Sequence, residues 1–467
     1  MHISGIYTDQ YQLTMGQAYF LKGDGEKTAV FDYFFRKLPF KGGYAIFSGL
    51  EVVLKILEHF RYDDSDIAFL KQQGFDSRYI AYLKDFRFKG SIYSTLEGDI
   101  IFPNCPVLTV EATIIEAQLI ETLLLNMLNF QTLIATKASR SRQSASNRVL
   151  IDFGMRRAHG PAAHFASRAA FIGGFNATSN VMAAKDFDIP VSGTMAHSFV
   201  QSFDDELEAF RFFAEVRSQD CILLVDTYST LKSGLPNAII VAKQMECKGQ
   251  KLKGIRLDSG DLAYLAKQAR KMLDEAGLQY VQIAVSNQLD EFVIKSLLEQ
   301  DAPIDIFGVG TSLVTGKPDA ALDGVYKLAF AYGKPRIKLS ENTTKITLPF
   351  KKQVHRLYDS NHKMLGADLI TLWEEKEISE MYHPVDSKKN IAFNNCKAEE
   401  LLQLVMKNGK RTSPPKSVAD IASYSSKRLN MLPEEYKRFD NPHIYKVGLS
   451  KLLHEKREEL MASYKMV

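Results

Sequence analysis

The sequence of 467 residues has few cysteines and no strong charge of either sign. Its four cysteines, Cys105, Cys221, Cys247 and Cys396, lie too far apart along the chain to form a zinc-binding pair. Four cysteines do not make a disulfide framework in a chain of this length, so a reducing compartment is expected. The 59 basic and 55 acidic residues give a net charge of +4, which is too weak to indicate binding to nucleic acid or to a membrane.

The chain also lacks a long apolar run and a targeting segment. Its first fifteen residues have neither a basic start nor an apolar centre, and Asp9 lies where a signal peptide would be apolar. The most apolar stretch, residues 114–130, contains acidic and amide side chains, which predicts a buried helix rather than a membrane span. These absences together predict a cytoplasmic protein.

Several catalytic signatures are missing as well. The sequence contains no HExxH, G-x-S-x-G or C-x-x-C motif, so zinc proteases, serine hydrolases and thioredoxin-type enzymes are unsupported. Residues 308–318 are similar to a phosphate-binding P-loop, but Pro318 stands where that loop needs a serine or threonine. His159 and His164 have no third ligand beside them, so we predict no metal ion held directly by protein side chains.

Short apolar runs alternate with helical segments in the middle of the chain. The predicted strands are residues 148–154, 189–193, 221–226, 254–258, 280–287 and 304–310. Residues 261–277 and 289–300 have apolar positions at helical spacing. Repeated strand–helix units predict a parallel sheet, either a barrel or a doubly wound sheet. Both folds bind ligands at the carboxyl ends of the strands.

Polar and small residues follow each predicted strand. Arg256 and Asp258 are two positions apart on one strand and therefore share a face, whereas Asp261 is expected to cap the next helix. Gly308 and Gly310 close the last strand, where backbone N–H groups could approach an anion. Six such strand ends in succession favour a site for a polar ligand over ordinary helix caps.

Taken together, these motifs are similar to those of the nicotinate phosphoribosyltransferase family. The resemblance is carried by TDQYQLTM (8–15), DFGMRRAHGPAAHFASRAAFIGGFNATSN (152–180), GTMAHSF (193–199), LLVDTYST (223–230), IRLDSGDL (255–262), SNQLDE (286–291) and IDIFGVGTSLVT (304–315). It implies an α/β fold, with an irregular TIM-like barrel over residues 131–334. A smaller α+β domain would be formed by residues 1–130 together with part of residues 335–467.

The resemblance also implies a reaction and its cofactors. The family joins nicotinate to phosphoribosyl pyrophosphate, which yields nicotinate mononucleotide and pyrophosphate in the salvage synthesis of NAD. ATP hydrolysis drives the reaction, and Mg²⁺ enters with the phosphates of the substrates. The enzymes are typically homodimers.

The family's functional residues map onto matching positions of this chain. His197 resembles the histidine that ATP phosphorylates, and Asp258 resembles a catalytic residue that holds the ribose. The nicotinate contacts would be Tyr11, Phe153, Arg156, Arg157, Ser179, Thr194 and Arg256. Tyr11 would reach the site of the neighbouring subunit. The phosphoribosyl pyrophosphate contacts would be Gly260, Gly308, Gly310 and Thr311.

One position bears on the choice of substrate. Nicotinamide phosphoribosyltransferases carry an aspartate where this chain has Ser179. An aspartate accepts a hydrogen bond from an amide and repels a carboxylate, so a serine favours the acid. The alternatives are a nicotinamide- or quinolinate-using enzyme and a barrel that binds nucleotide without catalysis. The presence of His197, Asp258 and the arginines argues against the silent barrel.

Overall fold

The computed structural model describes residues 3–341, 345–376, 379–386, 389–393 and 396–465. The chain forms two compact units. Unit 1 consists of residues 1–136 and 321–467, and unit 2 consists of residues 137–320. None of the described helices has the length and apolar content that would let it pass through a lipid bilayer.

The first part of unit 1 alternates short strands with helices. Its helices are α1 (Gln10–Lys22), α2 (Leu50–Leu57), α3 (Asp64–Gln72), α4 (Ser77–Lys84), α5 (Ile114–Leu119) and α6 (Glu121–Ala145), which belongs to unit 2 from residue 137 onward. Its strands are β1 (Thr28–Phe35), β2 (Ala45–Ile46), β3 (Ser91–Ser94), β4 (Ile100–Ile101) and β5 (Leu108–Thr113). Helix α5 begins at a capping box made by Thr113 and Glu116. Helices α5 and α6 confirm the buried helical segment predicted for residues 114–130.

Unit 2 repeats a strand followed by one or more helices. Its strands are β6 (Val149–Asp152), β7 (Ala177–Thr178), β8 (Ile222–Leu224), β9 (Gly254–Leu257), β10 (Gln282–Ser286) and β11 (Ile306–Val309). Its helices are α7 (Ala162–Ile172), α8 (Val181–Phe187), α9 (His197–Gln201), α10 (Glu206–Val216), α11 (Leu235–Cys247), α12 (Leu262–Glu275), α13 (Glu291–Glu299) and α14 (Thr311–Val314). The helices predicted at 261–277 and 289–300 are confirmed as α12 and α13. Asp261 caps α12 as predicted, because its carboxylate accepts from the backbone N–H of Tyr264 at 3.0 Å.

The strand order of unit 2 is that of a barrel. Its six strands form one parallel sheet in the order β7–β6–β11–β10–β9–β8. Read as a ring, this order follows the chain, and the first strand, β6, pairs with the last, β11. A doubly wound sheet would instead reverse direction at a switch point. The predicted α/β fold class with an irregular barrel is therefore confirmed.

The irregular part of the barrel lies between β7 and β8. The strand predicted at residues 189–193 is wrong, since this segment makes only an isolated bridge between Val191 and Thr178. Pro190 has no N–H to donate to a ladder, and Val191 is exposed, so the segment cannot form a regular buried strand. The two-residue strand β7, which takes its place beside β6, is too short for an apolar pattern to reveal.

An apolar layer inside unit 2 forms the floor of its carboxyl end. Five of the six strands contribute to this layer through Ile151, Ala177, Ile222, Ala284 and Ile306. Phe153 packs against the layer from above. Because side chains alternate along a strand, the residues two positions further on share the same face. These next residues are therefore placed above the floor, at the ends of the strands.

The C-terminal part of the chain completes unit 1. Its strands are β12 (Gly324–Ala331), β13 (Lys334–Pro335), β14 (Lys352–Tyr358), β15 (Met364–Leu372), β16 (Glu380–Tyr382), β17 (Asn390–Ala392), β18 (Lys397–Glu400), β19 (Gln403–Lys407), β20 (Lys410–Arg411) and β21 (Lys446–Leu449). Its helices are α15 (Val418–Met431), α16 (Glu434–Lys437) and α17 (Lys451–Lys465).

Strands from both ends of the chain share one sheet of unit 1. This antiparallel sheet has the order β13–β12–β1–β5–β3–β19–β20, and β1 lies between β12 and β5. A second sheet has the order β17–β16–β21–β15–β14–β18, and β2 pairs with β4. The smaller α+β fold predicted from both chain ends is confirmed.

A buried ion network ties these two parts of unit 1 together. Arg356 is fully buried and donates to Asp368 at 2.9 Å and to Asp99 at 2.8 Å. Arg428 also donates to Asp99 at 2.8 Å. Burial opposes ionisation of Asp99, but the charges of the two arginines outweigh it, so the pKa of Asp99 is held below its usual value. The network stays ionised because each buried charge has a partner.

We predict that Arg356→Met destabilises unit 1 strongly. The substitution leaves the carboxylates of Asp99 and Asp368 buried with one positive charge fewer, which costs about 3–5 kcal/mol. Urea unfolding followed by circular dichroism measures the loss. Arg438→Met, at an exposed arginine of the same unit, is the control and should change the free energy of unfolding by less than about 0.5 kcal/mol. Equal effects of the two substitutions would contradict the role given to the network.

Candidate active site

Arg256 is the centre of a hydrogen-bonded cluster at the carboxyl ends of the unit 2 strands. Its Nη1 donates to Thr194 Oγ1 at 2.7 Å and to the Met195 carbonyl at 3.2 Å. Its Nε donates to Ser286 Oγ at 3.0 Å, and its Nη2 donates to Asp258 Oδ1 at 3.1 Å. An arginine has five N–H donors. The described residues engage four of them, so one N–H on Nη2 remains for a ligand.

Asp258 follows β9 and shares a face with Arg256, as the sequence predicted. Its Oδ1 accepts from both Arg256 Nη2 and Ser286 Oγ. Burial disfavours the charged carboxylate, but the hydrogen bond from Ser286 and the charge of Arg256 outweigh it, and the pKa of Asp258 is lowered. Asp258 is therefore an anion at neutral pH, and its Oδ2 lies 3.8 Å from His197 Nε2.

A second carboxylate, Asp226, bonds to the backbone of Asp258. Only 1% of the Asp226 side chain is exposed. Its Oδ2 accepts from the backbone N–H of Asp258 at 2.9 Å and from Ser259 Oγ at 2.6 Å. Its Oδ1 is buried and has no hydrogen-bond partner among the described residues. Asp226 thus fixes the backbone that carries Asp258 and leaves one oxygen able to receive a cation or a donor.

His197 faces both carboxylates. It begins α9, and its Nδ1 lies 3.1 Å from Thr227 Oγ1. Its Nε2 lies 3.8 Å from Asp258 Oδ2 and 4.0 Å from Asp226 Oδ1. The side chain is 38% exposed. One ring nitrogen is therefore held by a hydroxyl group, while the other points to the carboxylates and is accessible to a ligand.

Phe153 lies beside this cluster because two glycines leave room for it. A Cβ on Gly308 would come within 2.4 Å of the Phe153 ring, and a Cβ on Gly310 within 3.3 Å of the Phe153 carbonyl oxygen. The Arg256 guanidinium lies 5.7 Å from the centre of the Phe153 ring. Gly308 is thus required for the close approach of a flat aromatic ring to a cation.

The turn that carries Phe153 is anchored by a buried carboxylate. Asp152 accepts from the backbone N–H of Gly154 at 2.8 Å, from Ser167 Oγ at 2.7 Å and from Thr178 Oγ1 at 2.8 Å. Burial raises the pKa of Asp152, although these hydrogen bonds oppose the shift. Because Asp152 links β6, α7 and β7, it holds the Phe153 turn in a defined position.

The remaining predicted residues occupy strand ends and turns of unit 2. Arg156 and Arg157 are exposed in the helical turn Met155–Arg157 after β6. Half-buried Ser179 follows β7, and its N–H donates to the Asp152 carbonyl at 2.9 Å. Positions in the other strand-end turns are Gly260, with a φ of 80°, then Gly310 and the exposed Thr311 at the start of α14. Tyr11 is in unit 1, on α1, and is half exposed.

The structure therefore brings Phe153, Thr194, His197, Arg256 and Asp258 into one set of direct contacts with their neighbours. It also adds Asp226, Thr227 and Ser286, to which no role was assigned from the sequence. All three lie in segments recognised as strand ends, LLVDTYST and SNQLDE. Their position after a strand was the available signal, but pairwise contacts across strands cannot be read from spacing alone.

A metal-binding group of side chains and a cavity elsewhere in the chain are the alternatives to this cluster. No group of three or more His, Cys, Asp or Glu side chains in the described part of the chain is arranged to hold a metal ion. A cavity of about 680 Å³ lies in unit 1 and is lined by residues such as Phe34, Lys327 and Ile391. None of the predicted site residues lines this cavity. The strand-end cluster is the better candidate, because titratable, cationic and aromatic groups converge there.

Comparison with known proteins identifies the family. The nicotinate phosphoribosyltransferase (NAPRTase) N-terminal domain matches residues 6–129, the nicotinate phosphoribosyltransferase (NAPRTase) family matches residues 149–362, and the nicotinate phosphoribosyltransferase C-terminal domain matches residues 351–457. The chain belongs to the nicotinate phosphoribosyltransferase family. The resemblance seen in the sequence motifs is thereby confirmed.

Several known proteins are similar to this chain over nearly its whole length. Nicotinate phosphoribosyltransferase of Bacillus subtilis is 47% identical over 457 residues, which cover 95% of this chain and 92% of the relative. The crystal structure of human nicotinic acid phosphoribosyltransferase superposes with a TM-score of 0.88 at 30% identity, covering 97% of this chain and 99% of the human one. A nicotinate-nucleotide pyrophosphorylase from Pyrococcus furiosus gives a TM-score of 0.72 at 26% identity, with 91% and 95% covered.

We predict that Gly308→Ala disturbs the Phe153 turn of this nicotinate phosphoribosyltransferase family member. The added methyl group overlaps the aromatic ring, and such overpacking lowers the free energy of unfolding by about 1–3 kcal/mol. Chemical denaturation measures the change. The control is Gly193→Ala, because no atom lies within 4 Å of the Cβ added there. If both variants unfold at the same midpoint as the unaltered chain, the ring does not depend on Gly308.

Proposed function

We propose that the chain is a nicotinate phosphoribosyltransferase that forms nicotinate mononucleotide and pyrophosphate from nicotinate and phosphoribosyl pyrophosphate, coupled to ATP, for NAD salvage. One observation carries this proposal. A cation, an anion and an exposed imidazole, on Arg256, Asp258 and His197, meet at the strand ends of a barrel. This is the set of groups needed to hold a carboxylate, a ribose and a transferable phosphoryl group.

Nicotinate would bind on the Arg256 side of the cluster. Its carboxylate would take the remaining N–H of Arg256, and its ring would lie against Phe153. Thr194 contributes by holding Arg256 Nη1, and Ser179 presents no charge that repels a carboxylate. The remaining predicted nicotinate contacts are Arg156, Arg157 and, from the neighbouring copy of a homodimer, Tyr11.

The phosphoribosyl group would bind on the Asp258 side. The Oδ2 atom of Asp258 accepts ribose hydroxyl groups and faces the positive charge that develops at C1 as the bond to pyrophosphate breaks. The pyrophosphate would be received by the strand-end turns of Gly260, Gly308, Gly310 and Thr311. A lowered pKa keeps Asp258 charged throughout the neutral range, which this role requires.

His197 would couple ATP to the reaction. With a proton on Nδ1 shared with Thr227, the lone pair of Nε2 is free to attack the γ-phosphorus of ATP. The transfer gives ADP and a phosphohistidine. Asp258 and Asp226, both about 4 Å from Nε2, would stabilise the positive charge that the ring acquires in the transfer.

Mg²⁺ fits this arrangement as an ion that enters with the phosphates. The buried Asp226 Oδ1 has no hydrogen-bond partner among the described residues, so it could accept a hydrogen bond from a water molecule bound to Mg²⁺. In keeping with the prediction of no direct protein ligand, the substrate phosphates would hold the ion, and its charge would be opposed to that of the departing pyrophosphate. All four cysteines are free thiols, which fits the reducing cytoplasm that we propose as the compartment.

The proposed reaction predicts a defined substrate preference. Pyrophosphate release should be fastest with nicotinate, compared with nicotinamide and quinolinate at equal concentrations of phosphoribosyl pyrophosphate, and ATP should increase the rate. A carboxylate on the ring is required because a cation, Arg256, faces it. A higher kcat/KM for nicotinamide or quinolinate would select that alternative. Binding of phosphoribosyl pyrophosphate without release of its pyrophosphate in the presence of any of the three would instead support the silent barrel.

We predict that His197→Ala abolishes the stimulation by ATP but retains slow transfer without ATP. The imidazole is the phosphoryl acceptor, whereas Arg256 and Asp258 still bind the other two substrates. Incubation with [γ-³²P]ATP should leave an acid-labile label on the unaltered chain and none on the variant. His159→Ala, at an exposed histidine of the same unit, should behave like the unaltered chain. Acid-labile label on His197→Ala would overturn the assignment.

A further inference from the structure

Ser286 lies between the two groups that would bind the two halves of the product. It is buried at the end of β10, where it pairs in register with Gly308 of β11. Its Oγ accepts from Arg256 Nε at 3.0 Å and donates to Asp258 Oδ1. One hydroxyl group thus contacts the side chains of both neighbouring charges, and it uses its single donor and one of its lone pairs to do so.

We propose that Ser286 is a positioning residue that sets the orientation of Arg256 and Asp258 for their substrates. This inference rests on the proposed function of the site. By donating to Oδ1, Ser286 leaves Asp258 Oδ2 for the ribose. By accepting from Nε, it leaves the outer Nη2 N–H of Arg256 for the carboxylate of nicotinate.

Without the Ser286 hydroxyl group, Arg256 and Asp258 could form a closer ion pair with each other. An arginine and an aspartate in contact prefer two parallel hydrogen bonds. In the observed geometry Asp258 takes only one, at 3.1 Å from Nη2, because Ser286 takes Nε. If the serine hydroxyl is removed, Nε loses its acceptor and Oδ1 loses a donor. Arg256 and Asp258 can then satisfy each other, which withdraws both from the ligands.

The same hydroxyl group contributes to the charge state of Asp258, which also faces the Arg256 guanidinium and, at 3.8 Å, the His197 imidazole. Burial raises the pKa of Asp258, and the hydrogen bond from Ser286 is the first of the effects that lower it again, ahead of the charge of Arg256. Loss of this hydrogen bond raises the pKa. When the pH is lowered, Asp258 then becomes protonated at a higher pH than in the unaltered chain.

The experiment compares Ser286→Ala with Ser286→Thr, which keeps a hydroxyl group. In Ser286→Ala we expect the KM for nicotinate and the KM for phosphoribosyl pyrophosphate both to rise by about tenfold, as expected from the loss of one hydrogen bond to a charged group. The acid limb of kcat/KM should move to higher pH. Ser286→Thr should restore both properties toward those of the unaltered chain.

The matched control is Ser141→Ala. Ser141 is a buried serine of the same unit whose side chain, among the described residues, donates to the Lys137 carbonyl of its own helix. This control should leave both KM values and the acid limb unchanged.

Two outcomes would overturn the inference: wild-type KM values and acid limb in Ser286→Ala, or a Ser286→Thr variant that behaves like Ser286→Ala. Failure of the proposed function is distinguishable, because the unaltered chain would then release no pyrophosphate from nicotinate and phosphoribosyl pyrophosphate.

Discussion

The contact between Arg256 and Asp258 is the interaction on which the rest of the site depends. Two opposite charges so close together would neutralise each other in a simple ion pair, and neither would serve a ligand. Here their other bonding positions are taken by neutral groups, namely Thr194 and Ser286. Each charge is thereby oriented without being fully compensated. This arrangement requires every buried polar group around the two charges to have a hydrogen-bond partner. The requirement explains the density of hydrogen bonds around Arg256 and Asp258.

The barrel supplies the frame that this contact needs. Its parallel strands end at one edge, so Asp258 and Ser286 follow the apolar floor at the ends of adjacent strands, and Arg256 is in register with Ala284 of that floor. Gly308, on the next strand, removes a side chain where Phe153 must fit. Asp152 and Asp226 act below the surface, where they hold the turns that carry the exposed groups. The turns that carry the site residues are thus held by hydrogen bonds to buried carboxylates.

Much of this could be predicted from the sequence, and the limits have physical causes. Alternation of side chains placed Arg256 and Asp258 on one face, and five of the six predicted strands of unit 2 are present. The strand predicted at residues 189–193 is absent, because Pro190 has no N–H to donate and Val191 is exposed. The apolar residues of this segment had favoured a strand. Asp226 and Ser286 were seen as strand-end residues but received no role, because their partners lie 28–33 positions away along the chain. Contacts at that range depend on strand order, which only the folded barrel determines.

The discontinuity of unit 1 has a consequence for synthesis on the ribosome. Strand β1 lies between β5 and β12, and β12 begins only at residue 324, after the whole of unit 2. Unit 2 is one continuous stretch, and its first and last strands pair with each other. The barrel can therefore close as soon as its own residues have emerged, whereas the N-terminal segment of unit 1 must wait with an open sheet edge. The segment made first is therefore the one whose sheet is completed last.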